Sequence, residues 1–266
     1  MPRHMVAMIR AEIRAVLGRA SGKAALALAV LIPVLVAVVL AWFQQKAVDA
    51  RFNGMPVSQL ADLTVRGCAG YALMVRNMVV LPLLLLLATA ATVAGERRDN
   101  TLREVLVRPV SRWSVVLAKM SALVVLSLAS LVLTLVLSLG LGAALFDTAA
   151  PIWRVTLGYL SCVGTDLGLI CLSMLAASLV RSVGGVVVLM ILLMMADMAI
   201  RGGLSLAGNF GMDNAAAIAS YFPGAALDAW EGWKDGFELQ PFVGLAVVIL
   251  GALGLTCIRF ERMDVP

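Results

Sequence analysis

Long apolar blocks separated by short polar stretches set the plan of this chain. Val79 to Gly95 is almost wholly apolar, with five consecutive leucines from Leu83 to Leu87, and Trp113 to Phe146 is nearly so. A block of about 20 apolar residues is long enough to cross a hydrocarbon core as a helix. By that measure the pattern predicts six spans, at 24–43, 71–95, 113–146, 153–180, 183–200 and 241–258. Pro33 falls near the middle of the first and predicts a kink there. The third would be about 50 Å long at 1.5 Å per residue, so it must tilt or project beyond the bilayer. Ahead of the spans, Met5, Ile9, Ile13 and Val16/Leu17 recur at helical spacing while Arg3, Arg10 and Arg14 lie off that stripe. Residues 1–22 therefore read as an amphipathic helix lying at the membrane interface. The fold class is an all-α integral membrane protein.

Between the second and third spans lies a polar island, Glu96 to Arg112. Thr101 and Glu104 have the T-x-x-E spacing of a capping box, in which the hydroxyl accepts from the Glu104 amide and the carboxylate reaches back to the Thr101 amide. A short helix should begin at Leu102 and stop at Pro109 after about two turns. Leu102, Val105 and Leu106 would share its apolar face, with Arg103 and Arg108 pointing elsewhere, and Ser111 would cap the span that follows. An apolar face on a short helix between two spans has two uses: to lie on lipid, or to dock into another protein.

Composition agrees with the pattern. The chain is 62% hydrophobic and 14% charged, with mean hydropathy +0.98, which excludes a soluble globular protein. Its net charge of +5 is explained by Lys and Arg held on the cytoplasmic side rather than by nucleic acid, for which no soluble domain remains. Six spans place both termini on one side. The segments on that side hold 14 of the 21 Lys and Arg residues, the opposite segments hold 6, and Arg76 lies within a span. Both termini and the island are therefore expected in the cytoplasm. The four cysteines, Cys68, Cys162, Cys171 and Cys257, show no C-x-x-C spacing, so neither a disulfide framework nor a metal site is indicated. His4, the sole histidine, reads as a solvated terminal residue.

Two further regions hold polar chemistry. Arg76, Asp166 and Asp197 lie within spans, where a charge is costly and usually faces a bundle interior or a cavity. Asp197 and Arg201 are four apart and form a local pair in the simplest reading. Asp166 sits in Gly164-Thr165-Asp166-Leu167-Gly168, whose glycines would let another helix approach closely. Two roles are open for it: structural, buried neutral or paired with Arg76, or a contact for substrate or proton. The outer connection 201–240 is acidic and aromatic. Leu227, Trp230, Trp233 and Phe237 fall at helical spacing, and Pro223-Gly224 would start that helix. Tyr221, Phe222, Trp230 and Trp233 are candidates for an outer gate, or for an aromatic belt at the headgroups.

Gly95-Glu96, Asn100-Thr101-Leu102, Pro109-Val110-Ser111-Arg112 and Leu117-Ala118-Lys119 resemble the cytoplasmic segment of ABC-2 type transporter permeases, the transmembrane subunits of ABC exporters. Asn100 stands where the family usually has Gly, and Asn too tolerates left-handed backbone angles. The resemblance implies a single transmembrane domain that pairs with a second permease subunit, identical or paralogous, around a path. It also implies two copies of a separate ATPase subunit that would bind ATP and Mg, and a place in the bacterial inner membrane. The coupling residues it implies are Glu96, Thr101, Leu102, Glu104, Val105, Leu106, Arg108, Pro109 and Arg112. The chain has no G-x-x-x-x-G-K-[ST] phosphate loop of its own, and so is not expected to be an enzyme or to bind a cofactor. Two other classes remain open: a secondary transporter, which would call for more buried charges and inverted repeats, and a membrane enzyme acting on lipid headgroups, for which the acidic group from Asp228 to Glu238 is the only candidate.

Overall fold

The computed structural model describes residues 3–46, 51–52, 55–56, 62–99, 101, 111–148, 151–227 and 239–262. Apart from a two-residue antiparallel pair, β1 (Arg51–Phe52) with β2 (Met55–Pro56), the described elements are helical. Five helices among the described residues are long and apolar enough to cross a membrane, and counting the bent pair Val65–Met78 and Leu81–Arg98 (41°) as one span makes six.

Helix α1 (Arg3–Gly18) is the amphipathic one, and it breaks at Arg19 before α2 (Ala20–Lys46), the first span. The side of α1 that turns inward ends on Val16, 1% exposed, which joins the main core. The second span is longer at its start than the sequence pattern predicts. It begins at Val65 rather than Tyr71, because Thr64 caps it by accepting from Gly67 N–H. Asp62 in turn accepts from the Thr64 hydroxyl and pairs with Arg66 at 2.7 Å. These polar residues are a helix start, which a hydropathy pattern alone reads as loop.

From there α3 (Val65–Val75), a π-turn (Arg76–Val80), α4 (Leu81–Ala90), a second π-turn (Ala91–Gly95) and α5 (Glu96–Arg98) run on without interruption. Each π-turn inserts extra backbone, so it re-aims the side chains that follow. The first holds Arg76 and the second leads into Glu96, two of the polar residues singled out above.

The third span, α6 (Arg112–Leu145), lies at the centre, packed against α1, α2, α3 and α7 (Ile152–Leu179). Its N-cap is Ser111, accepting from Ser114 N–H, as expected. One face of α6 carries Ser127, Ser130, Thr134 and Ser138, all buried. Their hydroxyls bond to carbonyls of the preceding turn or to neighbouring helices, and that of Thr134 also reaches Ala29 C=O of α2. Small hydroxyl residues let helices come close where no water drives them together.

The fifth span, α8 (Val183–Asn209), runs nine residues past the predicted end at Ile200. Arg201 does not stop it, since its charge is paired with Asp197 on the same helix, at 2.8 Å. It ends instead at Gly211, φ 92°, where the Met212 N–H bonds back to Ala207 C=O, a Schellman-type stop. Two short helices, α9 (Asp213–Ala219) and α10 (Pro223–Leu227), precede the last span, α11 (Gln240–Glu261), and α10 does begin at Pro223. The G-x-x-x-G face is occupied as expected: Phe242 and Leu245 of α11 lie over Gly164 and Gly168. The remaining outward faces, such as Leu192, Met195 and Met198 on α8 and Val247 and Leu250 on α11, are exposed apolar surface suited to lipid.

Candidate functional site

Two polar centres are held inside this apolar bundle. The first lies midway along the spans. Arg76 enters from the first π-turn and meets Asp166 of α7 at 2.7 Å, with the two residues 1% and 5% exposed. Asp166 also accepts from the Ser127 hydroxyl of α6 at 2.5 Å. Arg76 Nη1 donates to Asn77 Oδ1, and Asn77 Nδ2 donates to Cys162 Sγ. Arg76 Nε has no hydrogen-bond partner among the described residues. Arg76 lines a crevice together with Ala25, Ala29, Ile32, Ser130 and Thr134. This centre ties together three spans distant in sequence, and of the two roles left open for Asp166 the geometry supplies the Arg76 pair.

The second centre is at the island end of the bundle. Thr92 and Glu96 are four apart across the second π-turn and point the same way. Arg19, at the break between α1 and α2, donates to both, at 2.6 Å to Thr92 Oγ1 and 2.7 Å to Glu96 Oε1. The other Glu96 oxygen receives Lys119 Nζ of α6 at 2.6 Å, and Lys119 also binds Glu12 of α1 at 2.9 Å. Lys119 is fully buried, while the Glu12, Glu96 and Arg19 side chains are 14%, 17% and 28% exposed. Two cations and two carboxylates thus balance, as a buried charge network must.

The two flanks of the island are also fixed by arginines that cap helices. Arg97 donates to the Ser178 carbonyl at 2.6 Å, at the C-terminus of α7. Arg112 donates to the carbonyls of Phe260 at 2.9 Å and Glu261 at 2.7 Å, at the C-terminus of α11. Trp113 Nε1 donates to the Glu261 carboxylate. A guanidinium at a helix C-terminus satisfies orphan carbonyls and complements the macrodipole. The island therefore leaves and re-enters the bundle at anchored points. Thr101 donates its hydroxyl to Glu96 C=O at 3.3 Å. Leu102, Glu104, Val105, Leu106, Arg108 and Pro109, expected to form the short helix, lie outside the described residues.

At the opposite end Asp197 pairs with Arg201 and also accepts from Gly224 N–H at 3.2 Å, which pins the start of α10 to α8. A Cβ on Gly224 would overlap the Asp197 carboxylate, so the approach requires glycine. Tyr221 and Phe222 lie in the turn before α10, and the Tyr221 carbonyl rests against Gly244 of α11. Trp230 and Trp233 lie outside the described residues.

Sequence reasoning missed Glu12, Arg19 and Thr92. The signal was present for one of them: Glu12 falls three residues after Ile9 and four before Val16, on the apolar stripe itself. A carboxylate on such a stripe implies a buried cation opposite. Nothing local marks Arg19 or Thr92.

A family model described as ABC-2 family transporter protein matches residues 21–204, well over half the chain. That range covers the first span from residue 21, the second to fourth spans, most of the fifth, the island and both polar centres save Glu12 and Arg19. No curated protein matches this sequence. A helical bundle with five to six membrane-crossing helices, an anchored polar island between the second and third, and this match together place the chain in the ABC-2 transporter family, as a multi-pass transmembrane permease.

Proposed function

We propose that the chain is the permease subunit of an ATP-driven ABC-2 type exporter, coupled to a separate ATPase subunit through the helix expected at 101–109. Two such permease subunits enclose the path, identical or paralogous, over two ATPase subunits that bind ATP and Mg. The complex sits in the bacterial inner membrane with both termini and the island in the cytoplasm, in keeping with the 14-to-6 distribution of Lys and Arg.

The observation that carries the reading is the anchoring of the island. Glu96 and Arg97 on one flank, and Arg112 and Trp113 on the other, are bonded to Arg19 at the break between α1 and α2 and to α6, α7 and α11. A push on residues between those flanks is delivered to three helices and to the α1–α2 break. Leu102, Val105 and Leu106 supply an apolar face for a docking groove. The test is Leu106→Asp in the assembled complex. A charge in an apolar contact is costly, so the variant inserts normally but loses the co-purified ATPase or its coupled turnover. Normal turnover with the ATPase still bound would reject the docking face.

A further inference from the structure

The balance around Lys119 has an asymmetry with consequences for movement. Glu96 has two cationic partners, Arg19 and Lys119, whereas Lys119 is fully buried and has two anionic partners, Glu12 and Glu96. If Glu96 swings away, Lys119 keeps Glu12 and stays neutralised. Arg19, 28% exposed, can complete its shell with water, and Glu96, 17% exposed, already reaches the surface. No bare charge is left buried. Without Glu12 the same motion strands an ammonium in the core, which is strongly unfavourable. Glu12 is the only one of these groups on α1, and it reaches Lys119 across 107 positions of chain.

The geometry points to a latch, resting on the coupling reading above: Glu96 is the arm released when the island moves, and Glu12 of the amphipathic helix is the fixed counter-charge that permits the release. Glu12 is thus a positioning residue for the coupling step, acting through Lys119, and α1 belongs to the moving machinery rather than serving only as an interfacial anchor. The second π-turn, Ala91–Gly95, lies directly before Glu96 and supplies a place for the backbone to change its turn.

The experiment uses the intact permease–ATPase complex with spin labels on Gly18→Cys and Arg98→Cys. Gly18 has no atoms near its missing Cβ, Arg98 is exposed, and the four native cysteines are buried. In otherwise unaltered protein the label distance should differ between ATP and ADP. Glu12→Gln should abolish that difference and slow ATP turnover about tenfold or more, since a barrier rise of only 1.36 kcal/mol suffices. Adding Lys119→Met to Glu12→Gln removes the stranded cation and should restore both the distance change and turnover to within about threefold. A merely structural role for Glu12 lowers the thermal stability of the Glu12→Gln complex but leaves its nucleotide-dependent distance change intact, so the distance change is the readout that separates the two. The latch is overturned if Glu12→Gln keeps the nucleotide-dependent change, or if the double variant is no better than the single one. Should Glu12→Gln fail to assemble, Lys119→Met alone decides: retained turnover supports the latch, and its loss in an assembled complex overturns it. An ATPase that stays coupled in Leu106→Asp counts against the docking reading. An ATPase lost in that variant, with no distance change in unaltered protein, removes only the latch.

Discussion

Arg76 and Asp166 lie 90 positions apart in the chain and meet at 2.7 Å in the middle of the bundle, each almost fully buried. The pair explains how a mid-span carboxylate, costing roughly 2.5–3.5 kcal/mol on insertion scales, is tolerated. The first π-turn of the second span begins at Arg76 itself. Ser127 adds a third helix to the junction.

The Asp166 carboxylate accepts from both Arg76 and Ser127. Asp166→Asn keeps the outline and one acceptor but leaves the Arg76 guanidinium without its carboxylate. Breaking a buried pair from one side costs about 3–5 kcal/mol, so Asp166→Asn and Arg76→Leu should each lower thermal stability of the detergent-extracted protein. Replacing both, Arg76→Leu with Asp166→Leu, should recover most of the loss. Asp166→Asn of unaltered stability, in a complex that hydrolyses ATP without transport, would instead make Asp166 a substrate or proton contact.

The close approach of the outer segment to the last span gives a test inside one helix. A Cβ on Gly244 would overlap the backbone carbonyl of Tyr221, whereas a Cβ on Gly251 meets nothing within 4 Å. Gly244→Ala should cost about 1–3 kcal/mol by overpacking. Gly251→Ala should be neutral or stabilising by about 0.5–1 kcal/mol, the usual gain over glycine in a helix. Equal melting temperatures for the two variants would contradict the packing described.

Topology is tested by labelling in sealed vesicles. A cysteine at Asp99 should react only from the cytoplasmic side, and one at Asp228 only from outside. Reaction of both from the same side would remove the six-span arrangement with cytoplasmic termini.

The spans were legible because hydrophobicity over about 20 residues is a local property. The Ser111 cap, the Pro223 helix start, the Asp197–Arg201 pair and the crossing over Gly164 and Gly168 were legible for the same reason, being set by residues within a turn of one another. The helices reach beyond the predicted spans at Val65 and Asn209 for one reason. Hydropathy marks where a helix leaves lipid, while capping by Thr64 and the left-handed Gly211 mark where the helix itself begins or ends. The island-end network was not legible. Glu12, Arg19, Glu96 and Lys119 come from four separate elements, and their meeting depends on the break at Arg19 and the π-turn before Glu96, neither of which leaves a pattern in the sequence.

The most direct measurement of the central claim places a photo-reactive amino acid at position 106, and separately at position 221, in the complex isolated from its own membrane. Position 106 should crosslink to a polypeptide that labels with a photo-reactive ATP analogue, and position 221, on the opposite end of the bundle, should not. A crosslink from 106 to lipid alone, while an ATPase remains bound to the complex, would contradict the account.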